Sequence, residues 1–66
     1  MKIKLNGDDY AAKQVSTVSD LLVELGINPL RVAVEVNMAI VKKAQYAEFA
    51  LKDGDCVEVV NFVGGG

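Results

Sequence analysis

The chain has 66 residues, of which 52% are hydrophobic, with seven basic and nine acidic side chains and a net charge of −2. It has no His and one Cys, which excludes Ser–His and Cys–His catalytic pairs, His-ligated metal sites and a disulfide framework. The mild acidity argues against nucleic-acid binding, and no apolar run approaches the roughly 20 residues of a membrane-spanning helix. The alternating amino end is unlike a signal peptide. We therefore expect one small cytoplasmic domain that is not a self-sufficient enzyme.

The amino-terminal segment predicts a β-hairpin. Residues 2–5 alternate Lys, Ile, Lys and Leu, so Ile3 and Leu5 share one face of a strand. Residues 6–9, Asn-Gly-Asp-Asp, form a turn cluster because Asn and Gly tolerate positive φ. Residues 10–15 are then predicted to be the returning strand.

The next segment predicts a helix of two to three turns. Either Ser16 or Thr17 can cap its amino end, and Thr17 with Asp20 has the spacing of a capping box. Gly26 stands where a left-handed cap ends a helix, and Pro29 prevents its continuation. One apolar stripe at helical spacing is formed by Val18, Leu21, Leu22 and Leu25.

A β-branched strand follows the helix. Residues 31–37 alternate strictly, so one predicted buried face consists of Val32, Val34 and Val36. A turn at residues 37–38 leads into a short apolar strand over residues 39–41.

The last third predicts a connection, a turn and a final strand. Residues 42–51 have no clean period and are read as a connection with a short helix or turn near residues 44–49. Lys-Asp-Gly-Asp at residues 52–55 is typical of a turn, and residues 56–63 form the last strand. Three glycines at residues 64–66 follow it.

This order of elements predicts an α+β fold with a mixed sheet of four to five strands and one main helix packed on one face. The first and last strands can then lie side by side in parallel. By analogy of ordering, the architecture is the ubiquitin-like β-grasp. We assign residues 1–63 to that domain and residues 64–66 to a flexible glycine tail.

The glycine tail is the most informative feature for function. Glycines add nothing to a packed fold at a chain end, so a frayed end is one interpretation. The alternative is a thin segment that enters a narrow cleft: Gly64 and Gly65 are inserted in a partner's active site, and the carboxylate of Gly66 is presented there.

With these features in view, the chain resembles the ThiS family of sulfur carrier proteins along its whole length. The resemblance is carried by the opening strand with its Asn6 turn, the helix opening at residues 17–22, and the Val-Ala-Val-Glu-Val-Asn run at residues 32–37 followed by Ile-Val. Its sharpest features are the Asp-Gly-Asp turn at residues 53–55 and the terminal Gly-Gly. Gly64 departs from the family pattern, as does Lys-Lys at residues 42–43, where a Pro-Arg-like turn is expected.

The resemblance implies that the chain is a co-substrate and binds no cofactor itself. A ThiF-type adenylyltransferase, using ATP and magnesium, would convert the Gly66 carboxylate to an acyl adenylate. A persulfide from a sulfur donor such as a cysteine desulfurase would then leave a thiocarboxylate at Gly66. A ThiG-type thiazole synthase would receive this sulfur for thiamine biosynthesis.

The last strand has two predicted faces. Val57 and Val59 share one parity and are expected to face the helix. The opposite parity forms the predicted partner-docking surface: Glu58, Val60 and Phe62. Exposed apolar side chains of this kind often mark a binding site. Alternatively, the chain's own connection covers them through Tyr46 and Phe49, although for Phe62 we favour docking because it is nearest the tail.

The remaining reactive side chains are interpreted as structural. Cys56 is expected to pack as a small hydrophobe at the start of the last strand, since no basic cluster beside it favours a thiolate. Lys42 and Lys43 are read as a solvated turn. Four acids are expected to bond turn backbone instead of holding a metal ion: Asp8, Asp9, Asp53 and Asp55.

Three alternatives to the thiamine carrier stay open. The small subunit of molybdopterin synthase is also a β-grasp protein with a Gly-Gly end, although such chains are usually longer. A ubiquitin-like modifier would use the same activation but join the Gly66 carboxylate to a lysine. A plain β-grasp binding module would carry the tail incidentally.

Overall fold

Five β-strands and one α-helix make up residues 1–62, the part of the chain that the computed structural model describes. Two short 3₁₀ turns lie in the connections, at Pro29–Arg31 and Lys43–Gln45. The main elements are β1 (Lys2–Leu5), β2 (Asp8–Ala11), α1 (Val18–Leu25), β3 (Val32–Val36), β4 (Ala39–Val41) and β5 (Cys56–Asn61).

The strands form one mixed sheet in the order β2-β1-β5-β3-β4. β1 and β5 run parallel, with Lys4 opposite Cys56 and Leu5 opposite Val57, and the other neighbours are antiparallel. The predicted α+β sheet with parallel first and last strands is therefore confirmed, with five strands. β5 lies in the middle of the sheet, so the strand that leads toward the carboxyl end is held on both sides.

The first hairpin is tighter than predicted. Asn6 and Gly7 have φ angles of 50° and 88°, and they form a two-residue turn whose twist matches that of the flanking strands. Pairing resumes at once, with Asp8 opposite Leu5. The predicted returning strand is therefore confirmed, but its bounds of 10–15 were wrong: β2 is Asp8–Ala11, and the two aspartates lie in this strand instead of the turn.

The helix begins and ends at the predicted residues. The backbone N–H of Asp20 donates to Thr17 Oγ1 at 3.2 Å, and the Asp20 carboxylate accepts from the backbone N–H groups of Ser16 and Thr17 at 2.9 and 3.1 Å. This reciprocal arrangement satisfies amides that the helix leaves unpaired. At the other end Gly26 has a φ of 71°, and its N–H donates to the Val23 carbonyl at 3.0 Å.

The hydrophobic core lies between α1 and the inner face of the sheet. The alternation of β3 is confirmed, because its three valines are buried whereas Ala33 and Glu35 are only half-buried. Leu5 and Leu25 are partly buried at the edge of this core. Its fully buried side chains are Val18, Leu21, Leu22, Val32, Val34 and Val57.

The connection between β4 and β5 contributes to the core through Tyr46. The predicted short helix near residues 44–49 is a 3₁₀ turn at Lys43–Gln45, after which Tyr46 is buried and donates from its hydroxyl to the Val32 carbonyl at 3.2 Å. Burial raises the pKa of the Tyr46 hydroxyl.

Within residues 1–62, no helix has the length and apolar character needed to cross a membrane.

Candidate functional site: the outer face of the sheet

β5 carries the predicted docking residues toward the carboxyl end of the chain. Its pairing with β3 extends to Asn61, opposite Val32, and the N–H of Phe62 then donates to the Arg31 carbonyl at 2.8 Å. Three predictions concern residues beyond this point. The inserted residues Gly64 and Gly65 and the attachment residue Gly66 lie outside the described residues, as does the boundary between domain and tail.

The two faces of β5 are as the alternation predicts. Val57 is buried and Val59 half-buried on the inner side, whereas Glu58 is exposed on the outer side. Val60 and Phe62 keep 56% and 54% of their surface exposed. The alternative in which Tyr46 and Phe49 cover them was wrong, since Tyr46 is buried and Phe49 packs against the core.

The sheet register brings further side chains to the same outer face. Ala33 lies opposite Val60, Glu35 opposite Glu58, and Ile40 opposite Glu35. Ile40 is 76% exposed. We call these five residues the outer patch. Glu35 and Ile40 were missed from the sequence because only the pairing of β3 with β4 and β5 places them beside the predicted docking residues.

Lys43 reaches from the connection to the end of β5. Its ammonium donates to the Val32 carbonyl at 3.0 Å and lies 4.5 Å from the centroid of the Phe62 ring. An ammonium over an aromatic face is attracted by the ring quadrupole. Lys43 is exposed in a 3₁₀ turn, as predicted, but its ammonium also contacts the Phe62 ring, which the sequence analysis did not predict.

Asn6 holds β5 from the opposite side. Its side-chain Oδ1 accepts from the Val59 N–H at 2.8 Å, its Nδ2 donates to the Val59 carbonyl at 3.2 Å, and its own N–H donates to the Val57 carbonyl at 2.9 Å. The asparagine side chain thus continues the β1–β5 ladder after β1 has ended. This contact fixes the backbone of β5 just before Val60.

Cys56 does not pack as predicted. It is exposed, because it shares the outward parity of Glu58 and Val60. Its backbone is nevertheless fixed: its N–H donates to Asn37 Oδ1 at 2.9 Å, and its carbonyl accepts from the Asn37 N–H at 2.7 Å. Successive side chains of a strand point to opposite faces. Cys56 immediately precedes the buried Val57, so its side chain points to the outer face.

Three of the four acids in the two clusters, Asp9, Asp53 and Asp55, have partners within residues 1–62. Asp55 is buried; its Oδ2 accepts from the Lys52 N–H at 2.8 Å and its Oδ1 from Asn37 Nδ2 at 3.1 Å. Asp53 accepts from the N–H of Lys2 at 2.7 Å. Asp9 forms an exposed ion pair with Lys4 at 2.8 Å. The expected bond to turn backbone is confirmed for Asp55, whereas Asp53 bonds the backbone of β1 instead. It was wrong for Asp8 and Asp9, which lie in β2.

Comparison with known proteins assigns the family. The model of the ThiS family matches residues 3–66. The chain belongs to the ThiS family. This ThiS-family chain is 42% identical to the sulfur carrier protein ThiS of Bacillus subtilis over 65 residues, which is 97% of the chain and 98% of that relative.

Two longer relatives and one solved structure extend the comparison. The thiazole synthases of Paramagnetospirillum magneticum and Magnetococcus marinus are 47% and 46% identical to this chain over 66 residues, and the chain spans only 20% of the length of each. The crystal structure of the thiamine biosynthesis protein ThiS from Geobacter metallireducens superimposes with a TM-score of 0.84 at 30% identity, covering both chains completely. The β-grasp fold expected from the order of elements is thereby confirmed.

Proposed function

We propose that this protein is a cytoplasmic sulfur carrier for thiamine biosynthesis that acts as a co-substrate of partner enzymes. The observation that carries the proposal is the match, over nearly the full length of both chains, to the sulfur carrier protein ThiS of Bacillus subtilis. The fold supports it as well, since the described residues superimpose on a ThiS structure.

The proposed chemistry takes place at the carboxylate of Gly66. A free carboxylate is a poor electrophile, so a ThiF-type adenylyltransferase uses ATP and magnesium to form the acyl adenylate and release pyrophosphate. A persulfide sulfur, from a donor such as a cysteine desulfurase, then displaces AMP. A further thiol then attacks the donor's sulfur in the remaining S–S bond, which releases the thiocarboxylate and leaves a disulfide between that thiol and the donor. In this scheme the ATP site and the persulfide belong to the partners, and the carrier binds no cofactor.

The part of the chain that docks to the adenylyltransferase is, in this proposal, the outer side of β5. Glu58, Val60 and Phe62 lie on the approach to the tail, and the two apolar members are more than half exposed. Burying exposed apolar surface favours association. Asn6 bonds the β5 backbone and Lys43 contacts the Phe62 ring, so a docked partner would meet side chains whose positions these contacts support.

The proposed acceptor of the sulfur is a ThiG-type thiazole synthase. About one fifth of each of two proteins named thiazole synthase resembles this whole chain. That arrangement supports a functional link between a carrier of this type and the synthase.

Intact-mass measurement tests the proposed function. The protein is incubated with ATP, magnesium, a ThiF-type adenylyltransferase and a persulfide donor, and we expect the mass gain of one oxygen replaced by sulfur. A matched control lacks residues 65–66 and should show no gain. A stable conjugate to a lysine would instead indicate a ubiquitin-like modifier, and an unchanged mass for the full chain would overturn the carrier function. If the shortened control keeps its protein partners while the full chain stays unmodified, the chain is a plain binding module.

A further inference from the structure

Glu35 and Glu58 are directly opposite each other on the outer face of the sheet. Side chains in such cross-strand pairs lie with their Cβ atoms about 5 Å apart, and like charges there are destabilising. Within residues 1–62 the carboxylates of this pair accept no hydrogen bond and form no ion pair; the ion pair that does form joins Lys4 and Asp9 elsewhere on the sheet. Among the described residues, these two adjacent carboxylates therefore have no cation within ion-pair distance.

The surroundings of this pair are apolar. Ile40 lies beside Glu35 on β4, and Val60 follows Glu58 along β5 at the next outward position. Both are more than half exposed. A protein surface that covers these side chains would also remove water from around the two carboxylates, which strengthens their attraction to any cation that the same surface supplies.

From this arrangement we propose that the outer patch is completed by an arginine of the adenylyltransferase, whose guanidinium is inserted between Glu35 and Glu58 while apolar side chains cover Ile40 and Val60. A planar guanidinium presents several donors in a fixed fork and can bond two carboxylates at once. The inference rests on the proposed function for the identity of the partner. Beyond the proposed function, it states that the partner contributes an arginine. It also extends the docking surface to Glu35 on β3 and Ile40 on β4.

A second copy of this chain is a poor occupant of the same patch. A symmetric dimer would use the same surface on both subunits, so it would bring two Glu35–Glu58 pairs together. Four like charges brought into one interface repel one another and suppress such a contact. The charge of the patch therefore favours a different protein that carries a positive group.

The test compares a double variant, Glu35→Gln with Glu58→Gln, with a control, Glu48→Gln, which alters an exposed acid outside the sheet. Glutamine keeps the side-chain shape and removes the charge. We expect the double variant to melt about 1 to 6 °C higher than the wild type, because the repulsion is relieved. Its Kd for a purified ThiF-type adenylyltransferase, measured calorimetrically without ATP, should rise by about tenfold or more. The control should change neither quantity by a comparable amount.

The outcomes separate this inference from the proposed function. An unchanged Kd for the double variant overturns the arginine contact, whereas loading of the wild type in the mass assay would leave the carrier function standing. Binding of the wild type without loading contradicts the carrier function alone. If the wild type does not bind the adenylyltransferase at all, or if it self-associates and the double variant does not, the proposed occupant is wrong.

Discussion

Asn6 and Asn37 occupy equivalent positions on the two sides of β5. Each is the first residue of a two-residue turn, with φ of 50° and 52°, and each directs its side-chain amide back to β5. Asn6 bonds the N–H and carbonyl of Val59, and Asn37 accepts from the N–H of Cys56. Asparagine tolerates the left-handed conformation better than most residues, so one residue type supplies both the turn and the contact.

Replacement of Asn6 tests how much this contact stabilises the fold. Asn6→Gly keeps the backbone conformation but removes both bonds to Val59, and we expect the free energy of unfolding in urea to fall by about 1 to 2 kcal/mol. Asn6→Asp keeps the acceptor for the Val59 N–H, so its free energy of unfolding should lie between those of the wild type and the Gly variant. Amide hydrogen exchange at Val59 should be faster in the Gly variant. A Gly variant as stable as the wild type would show that the side-chain bonds contribute nothing.

The contact of Glu24 with the β2 hairpin predicts a pH-dependent stability. The Tyr10 hydroxyl donates to Glu24 at 2.5 Å, and the N–H groups of Gln14 and Lys13 donate to the same carboxylate. These bonds, the Tyr10 bond first, hold the pKa of Glu24 below its ordinary value of 4.5. A carboxyl whose folded pKa is lowered contributes stability at pH values above 4.5, and that contribution is lost as the pH falls through the lowered pKa.

Glu24→Gln should therefore destabilise the protein most near neutral pH, and the difference from the wild type should shrink as the pH falls below 4.5. Urea unfolding at several pH values between 7 and 3 measures this difference. Glu48→Gln serves as the matched control and should follow the wild type throughout. A difference in the free energy of unfolding between Glu24→Gln and the wild type that stays constant from pH 7 to pH 3 would contradict the proposed role of the Glu24 carboxylate.

Phe62→Asp should impair loading while leaving the fold intact. The side chain is more than half exposed, so its replacement leaves the core unchanged, but an aspartate would place a charge where apolar contact with the adenylyltransferase is proposed. We expect kcat/KM for adenylation to fall by about tenfold to thirtyfold. Val23→Asp, on the exposed face of α1, is the control and should load normally. Unchanged loading of Phe62→Asp would remove this residue from the docking surface.

Cys56→Ser should still accept sulfur at the carboxyl end. The thiol is exposed, so we expect it to react with a thiol reagent in the native protein, but the proposed chemistry needs only the Gly66 carboxylate. Intact mass after loading should show the same oxygen-to-sulfur replacement in the variant as in the wild type. A variant that is adenylated but gains no sulfur would indicate that Cys56 relays sulfur to the tail.

Features set by residues close in sequence could be predicted, whereas features set by neighbours on other strands could not. The capping box of Thr17 and Asp20 is set by residues three positions apart, so it could be recognised before the structure. The start of β2 was misplaced because the Asp-Asp-Tyr-Ala stretch has little alternation, and only its pairing with β1 identifies it as a strand. Cys56 is exposed although cysteine is often buried, because its position one residue before the buried Val57 puts it on the outer face.

By itself, the sequence determined the order of elements, the limits of α1, the two faces of β5 and the resemblance to the ThiS family, because these depend on short-range spacing and on residue types. Only the tertiary structure decided that Glu35 faces Glu58, that Tyr46 enters the core while Phe62 stays exposed, and that Asn6 bonds Val59 across 53 positions of the chain. The physical reason is that sheet order and register join distant segments. A strand's own pattern states which of its residues share a face, but it does not state which residues of other strands they meet.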